Sequence, residues 1–152
     1  MGPGPMTPPG ASPHVDIDLR VRYAETDRMG VAHHSVHLVW FEMGRTEFCR
    51  AAGFSYADLE RLENIYLVVA EARCRYKAPV TYDDLIRVRT RLDPVSARLL
   101  RFRYEVFHVG PDRLVAEGET THVPIDRTGR RTTVPAPYAT MLAAWSRPAD
   151  AR

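Results

Sequence analysis

Val36-His37-Leu38-Val39-Trp40-Phe41-Glu42-Met43 is the stretch on which the fold turns. It follows Ser35, a residue of N-cap type, and the helical pattern it opens runs to about residue 52, where Gly53 supplies a C′ stop. Its apolar side chains fall nearly all round the helix rather than on one stripe. A globular protein tolerates that only where the helix is enclosed on most sides. Gly44, which costs about 1 kcal/mol against Ala at mid-helix, reads either as a close approach by a neighbouring element or as a tolerated glycine. Arg45, Thr46, Glu47 and Arg50 make the second half more polar, so it is expected to emerge into solvent.

Outward from this helix the pattern changes to strands. In 15–23, Val15, Ile17, Leu19, Val21 and Tyr23 alternate with Asp16, Asp18, Arg20 and Arg22, the period of a half-buried strand. Residues 24–30 read as a loop. Beyond the helix, 56–62 form a short amphipathic segment, and four strand-like runs follow at 65–76, 85–93, 99–108 and 113–125. Ile86, Val88 and Leu92 alternate with Arg87, Arg89 and Arg91; Leu100, Phe102, Tyr104 and Val106 alternate with Arg101, Arg103 and Glu105. Ala116, Gly118 and Thr120 put small side chains on one face, leaving room for a thick element against the sheet, with Glu117 and Glu119 opposite. The Arg and Glu faces are placed to pair across strands, at about 0.2–1 kcal/mol a pair. A short helix is expected over 138–145. One long helix wrapped by an antiparallel sheet, an α+β architecture, satisfies the burial needs of both. The expected organisation is a Pro/Gly-rich disordered leader at 1–14, a single domain at 15–145 and a frayed tail at 146–152.

The 152 residues are 45% hydrophobic and carry 21 Lys+Arg against 19 Asp+Glu, a net +2, which argues against a dedicated nucleic-acid binder. No apolar run approaches the roughly 18 residues of a membrane span, and no secretory signal is recognisable. Cys49 and Cys74 have neither metal spacing nor a disulfide framework, which points to a reduced, cytoplasmic compartment.

Reactive side chains concentrate at the loop and the start of the helix: Tyr23, Glu25, Asp27, His33, His34, Ser35, His37 and Glu42. A helix N-terminus offers free N–H groups and about half a positive charge to a developing oxyanion, and Asp27 in the preceding loop would sit beside it. Gly30 permits a tight path between the two. On pattern alone Asp27 and Gly30 also read as a plain turn, His34 as a cap or core residue, and Tyr23 as core. His33 and His37 are spaced i, i+4, but no third metal ligand accompanies them, so no metal is expected. Gly-rich phosphate loops and Gly-x-Ser-x-Gly elbows are absent, and Cys49 reads as core.

The segment Tyr23-x3-Asp27-x2-Gly30-x3-His34, with Trp40-Phe41-Glu42 and Arg45-Thr46-Glu47 after it, resembles the hotdog-fold acyl-CoA thioesterases, in the branch of 4-hydroxybenzoyl-CoA thioesterase and the Tol–Pal-associated enzymes. The likeness runs over about 15–142 and includes Tyr76-Lys77-Ala78-Pro79 and Thr121-His122-Val123. It implies a hotdog fold and hydrolysis of acyl-CoA without cofactor. Asp27 would be the base or nucleophile, His34 would mark the N–H that polarises the carbonyl, and Tyr23 would stand beside the Asp. Gly30, Ser35 and Glu42 would line the substrate site, with Lys77, Arg75 and, less directly, Arg73 and the Arg130-Arg131 turn on the CoA phosphates. It also implies a homodimer or homotetramer formed by pairing sheets, with sites at subunit interfaces. His37 departs from the Tyr or other aromatic of many relatives. The same fold admits a 3-hydroxyacyl-thioester dehydratase or hydratase, with His34 and Glu42 as the essential pair, or a non-catalytic acyl-CoA-binding protein.

Overall fold

The computed structural model describes residues 13–147. The leader expected at 1–14 and the tail at 146–152 therefore lie mostly outside the described residues. Ser146 and Arg147, which are described, are tied down: Ser146 N–H donates to Ala143 O at 3.2 Å and Arg147 N–H to Leu92 O at 2.8 Å.

Five strands form one antiparallel sheet in the order β1-β3-β4-β5-β2, with β1 at Val15–Arg20, β2 at Tyr66–Tyr76, β3 at Leu85–Leu92, β4 at Leu100–His108 and β5 at Arg113–Ile125. The helix α1 spans Val36–Ala52, α2 spans Tyr56–Glu63 and α3 spans Ala136–Trp145. This is the hotdog arrangement. Gly53 ends α1 with φ 123°, its N–H reaching Cys49 O and Arg50 O. The alternation expected for β3 is observed, with Ile86, Val88, Thr90 and Leu92 buried beneath α1.

Close fit seats α1 on the sheet. The Phe41 ring stacks on Tyr104 at 4.3 Å between centroids, and Phe48 meets Phe102 edge-on at 5.7 Å. Gly44 rests against β3: a Cβ there would come within 2.4 Å of Thr90 Oγ1, so the mid-helix glycine marks a close approach. Gly118 on β5 makes room for Phe41, since a Cβ would lie 2.2 Å from Arg73 O and 2.8 Å from the ring. The small-residue face of β5 thus receives the thick element it implied.

Two expectations about α1 need correction. One chain encloses only one side of the helix: His37, Trp40, Phe41, Gly44 and Phe48 are buried, while Leu38, Val39 (47% exposed) and Met43 face outward. The second half does not simply emerge into solvent, because the Arg45 side chain is largely buried. On β2, an 11-residue edge strand, Val68 and Val69 are exposed beside that open flank. The outer face of the sheet carries ion pairs, among them Arg87–Asp18 at 2.8 Å, Arg89–Asp16 at 2.9 Å, Arg103–Asp93 at 2.8 Å, and Arg91–Glu105. No helix among the described residues is long and apolar enough to cross a membrane.

Candidate active site

β1 ends at Arg20, three residues short of the alternation, and the chain turns into a short 3-10 helix at Tyr23–Glu25. It then forms a narrow hairpin against the segment that leads into α1. His33 N–H donates to Glu25 O, Thr26 bridges Ala32, and Asp27 N–H donates to Val31 O, so the two arms run antiparallel. Gly30 closes the turn with φ 81°, and its N–H donates to Asp27 O at 2.9 Å. The far arm is braced by Ala32 N–H to Val80 O at 2.8 Å. Asp27 sits two rungs from His33, about 7 Å at strand spacing. Its Oδ1 accepts the Met29 N–H at 2.8 Å, a turn bond that fixes the carboxylate. No partner holds Oδ2 among the described residues.

Glu25 is the anchor of this hairpin. Its carboxylate is only 5% exposed; it accepts the Arg22 N–H at 2.7 Å and the indole N–H of Trp40, on the second turn of α1, at 3.1 Å. Loop and helix are thereby locked together. The residue belonged to the reactive cluster read from the sequence, but its clamp was not legible there.

At the tip of α1 the N–H groups of His33, Ser35, Val36 and Leu38 are used, the last donating to Ser35 O at 3.2 Å. His33 N–H goes to Glu25 O, Ser35 N–H to His33 Nδ1 at 3.2 Å, and Val36 N–H to His33 O at 3.0 Å. The N–H groups of His34 and His37 have no protein acceptor among the described residues, and that of His34 is the one adjoining the hairpin. On its other side His34 O accepts the Tyr76 hydroxyl at 2.7 Å, which ties the end of β2 to the tip. Burial and the neighbouring Cys74 push the Tyr76 phenol up to about 12, so it remains a donor at neutral pH. His37, one turn on, is buried between Trp40 (4.8 Å between ring centroids) and Tyr76 (4.9 Å). Burial lowers its pKa, leaving a neutral ring. Tyr76 entered the sequence reading only as part of a turn; nothing in hydropathy marks a strand-end tyrosine as a brace.

The structure brings Asp27, Gly30, His34 and Ser35 onto this hairpin and helix tip, with Tyr23 in the 3-10 turn that leads into it, and places Glu42, Arg75 and Lys77 elsewhere in the chain. Tyr23 is not core: it is 78% exposed and meets Tyr82 edge-on at 5.8 Å, because the strand stops before it. Ser35 does not cap α1 with its side chain. Glu42 points outward from α1, two turns or about 12 Å beyond His34, and contacts Arg45 at 4.0 Å; the His34–Glu42 pair that a dehydratase would need is not assembled in one chain. Arg75 and Lys77 lie on the sheet face away from α1, at 3.0 Å from Glu119 and 3.8 Å from Glu117 respectively. A bulge between Val69 and Glu71 reverses the facing of every later β2 residue, which sends Arg73 and Arg75 outward. Arg130 and Arg131 lie in an exposed turn after β5. No three His, Cys, Asp or Glu side chains form a metal-holding group among the described residues.

A second polar group lies deeper under α1. His122 Nε2 is 2.8 Å from Thr120 Oγ1, which is 2.5 Å from the Tyr104 hydroxyl. Burial and the nearby Arg45 guanidinium hold the His122 imidazole down to about 4, and burial pushes Tyr104 up to about 12. Burial likewise pushes the Cys49 thiol up to about 12, which makes it inert core.

Comparison with known proteins fits this geometry. The sequence pattern of the thioesterase-like superfamily matches residues 21–145. The acyl-CoA thioester hydrolase YbgC of Escherichia coli O6:H1 is 30% identical over 108 residues, 71% of this chain and 79% of its own. Among solved structures, protein TT1821 from Thermus thermophilus superposes with a TM-score of 0.80 at 36% identity, covering 87% of this chain and 97% of its own. The DHNA-CoA thioesterase from Staphylococcus aureus gives 0.75 at 30% identity, covering 79% and 80%. A free N–H at the tip of a sheet-wrapped helix, a fixed carboxylate on the adjoining hairpin and these likenesses converge: the chain belongs to the thioesterase-like superfamily and is a thioester hydrolase.

Proposed function

We propose that the chain hydrolyses acyl-CoA thioesters to free acid and CoA at the tip of α1. The observation that carries this reading is the unused His34 N–H, held in place by bonded neighbours at the positive end of a 17-residue helix. The thioester carbonyl oxygen accepts that N–H. Asp27 takes a proton from water as the water oxygen bonds to the carbonyl carbon, and the negative charge that develops on the carbonyl oxygen is held at the helix tip. Collapse re-forms the C=O bond, breaks the C–S bond and releases CoA as thiolate, which is then protonated. Direct attack by Asp27 would give a mixed anhydride that water cleaves to the same products. Gly30 and Ser35 shape the approach.

The open flank of α1 and the exposed aliphatics of β2 support a homodimer, or a tetramer of such dimers, with β2 edges paired. Both cysteines are free, in keeping with a cytoplasmic enzyme.

Thiol release across a panel of aryl, short-chain and long-chain acyl-CoAs tests the reaction. Asp27→Asn should lower kcat by about 10²–10⁴-fold with the fold intact by circular dichroism. Wild-type turnover in that variant removes Asp27 from the mechanism, and saturable binding without thiol release makes the chain a binding protein. Sedimentation velocity should return a dimer or larger.

A further inference from the structure

The start of α1 is capped by an imidazole rather than by the serine the sequence offers. The Ser35 N–H donates to His33 Nδ1 at 3.2 Å, and the Ser35 hydroxyl lies 2.8 Å from the same nitrogen. A backbone N–H can only donate, so Nδ1 must present its lone pair, and the ring proton of His33 sits on Nε2. The hydroxyl, facing that lone pair, donates as well. His33 is itself held at both backbone ends, N–H to Glu25 O and C=O from Val36 N–H. Its ring lies against that of His34, 4.2 Å between centroids. With the Tyr76 hydroxyl on His34 O, the peptide groups on both sides of the free His34 N–H are fixed in orientation.

We infer that His33 is a positioning residue for the reaction: as the Nε2–H tautomer it caps α1 through the Ser35 amide and so aims the His34 N–H at the substrate carbonyl. This rests on reading the α1 tip as the oxyanion site. A Ser–His pair at hydrogen-bond distance also has the outline of a nucleophile and its base. That arrangement needs a third group to orient the far side of the imidazole, and none hydrogen-bonds it among the described residues. The Ser35 amide also competes for the lone pair the hydroxyl would need. Ser35 therefore acts through its backbone.

The test compares His33→Ala with His33→Asn, and records the histidine ¹⁵N–¹H spectrum of the full chain. His33→Ala should lose about tenfold or more in kcat with KM nearly unchanged, as expected when an oxyanion donor is misaimed. His33→Asn should recover to within about threefold of wild type, because an asparagine side-chain oxygen readily accepts the N–H two residues on. The spectrum should show His33 as the Nε2–H tautomer, a reading that needs no variant to fold. Wild-type kcat in His33→Ala or an Nδ1–H tautomer of His33 would each overturn the inference. Absence of thiol release by the wild type would overturn the hydrolase reading and the catalytic half of this one, and the tautomer would then decide the cap alone.

Discussion

The two halves of α1 carry polar groups in opposite ways. At the tip, His33 and Tyr76 bond to backbone atoms near solvent, the buried Glu25 joins the Arg22 N–H to the Trp40 indole, and the His34 N–H and one Asp27 carboxylate oxygen stay unspent. Deeper in, Arg45, Tyr104, Thr120 and His122 meet one another through side chains, sealed between helix and sheet. Backbone-directed bonds fix directions where a substrate can meet them. A sealed side-chain group fixes nothing a substrate can reach, but ties stability to pH. Chemistry belongs to the first kind of region.

The largest effect expected from this contrast is at His122. Its folded-state pKa, about 4, lies below the ordinary 6.5, so the unfolded chain takes up the proton first as pH falls. The stabilisation is fully present above about 6.5 and is lost as pH drops through about 4; the gap corresponds to roughly 3 kcal/mol. Urea unfolding from pH 7 to pH 4 should show that loss, and His122→Gln should flatten it. An equally steep acid limb in the variant would break the assignment.

At the tip, Glu25→Ala leaves the Trp40 indole N–H buried without its acceptor. It should cost about 2 kcal/mol in unfolding free energy and about tenfold in kcat. Tyr76→Phe removes a single donor, for about 1 kcal/mol and a kcat loss of severalfold. If Tyr76→Phe changes KM alone, the brace does not act on the transition state. The smallest effect belongs outside both regions. Arg75→Ala, on the outer sheet face, should leave kcat, KM and Tm unchanged within error, and a clear rise in KM for CoA esters would return that arginine to the substrate site.

Much of this architecture could be read from residue order. The alternation in 85–92, the stop at Gly53 and the small face of Ala116, Gly118 and Thr120 each follow from local rules that the packing respects. Failures occurred where a nonlocal contact decides. Tyr23 continues a period of two that the chain abandons, because Val21 is already bonded to Asp83 and Asp84 ahead of β3. Arg75 changes face at a single inserted residue in β2, which no hydropathy pattern marks. Ser35 has the propensity of a cap, yet the His33 ring reaches its amide. The placement of Asp27 and His34 beside the start of α1 was legible because their motif lies within one short stretch, whereas the bonds of Glu25, Tyr76 and His33 depend on distant partners or on a ring orientation that the sequence does not encode locally.

The missing side chain at Gly118 has a consequence for evolution. Phe41 lies in that gap, seven residues or about 10 Å along the rod from His34. Any substituent at 118 would lift the rod and carry its tip away from the hairpin, so a neutral-looking replacement on a central strand would be selected against as an active-site mutation. The seat of the rod on the sheet must therefore stay bare.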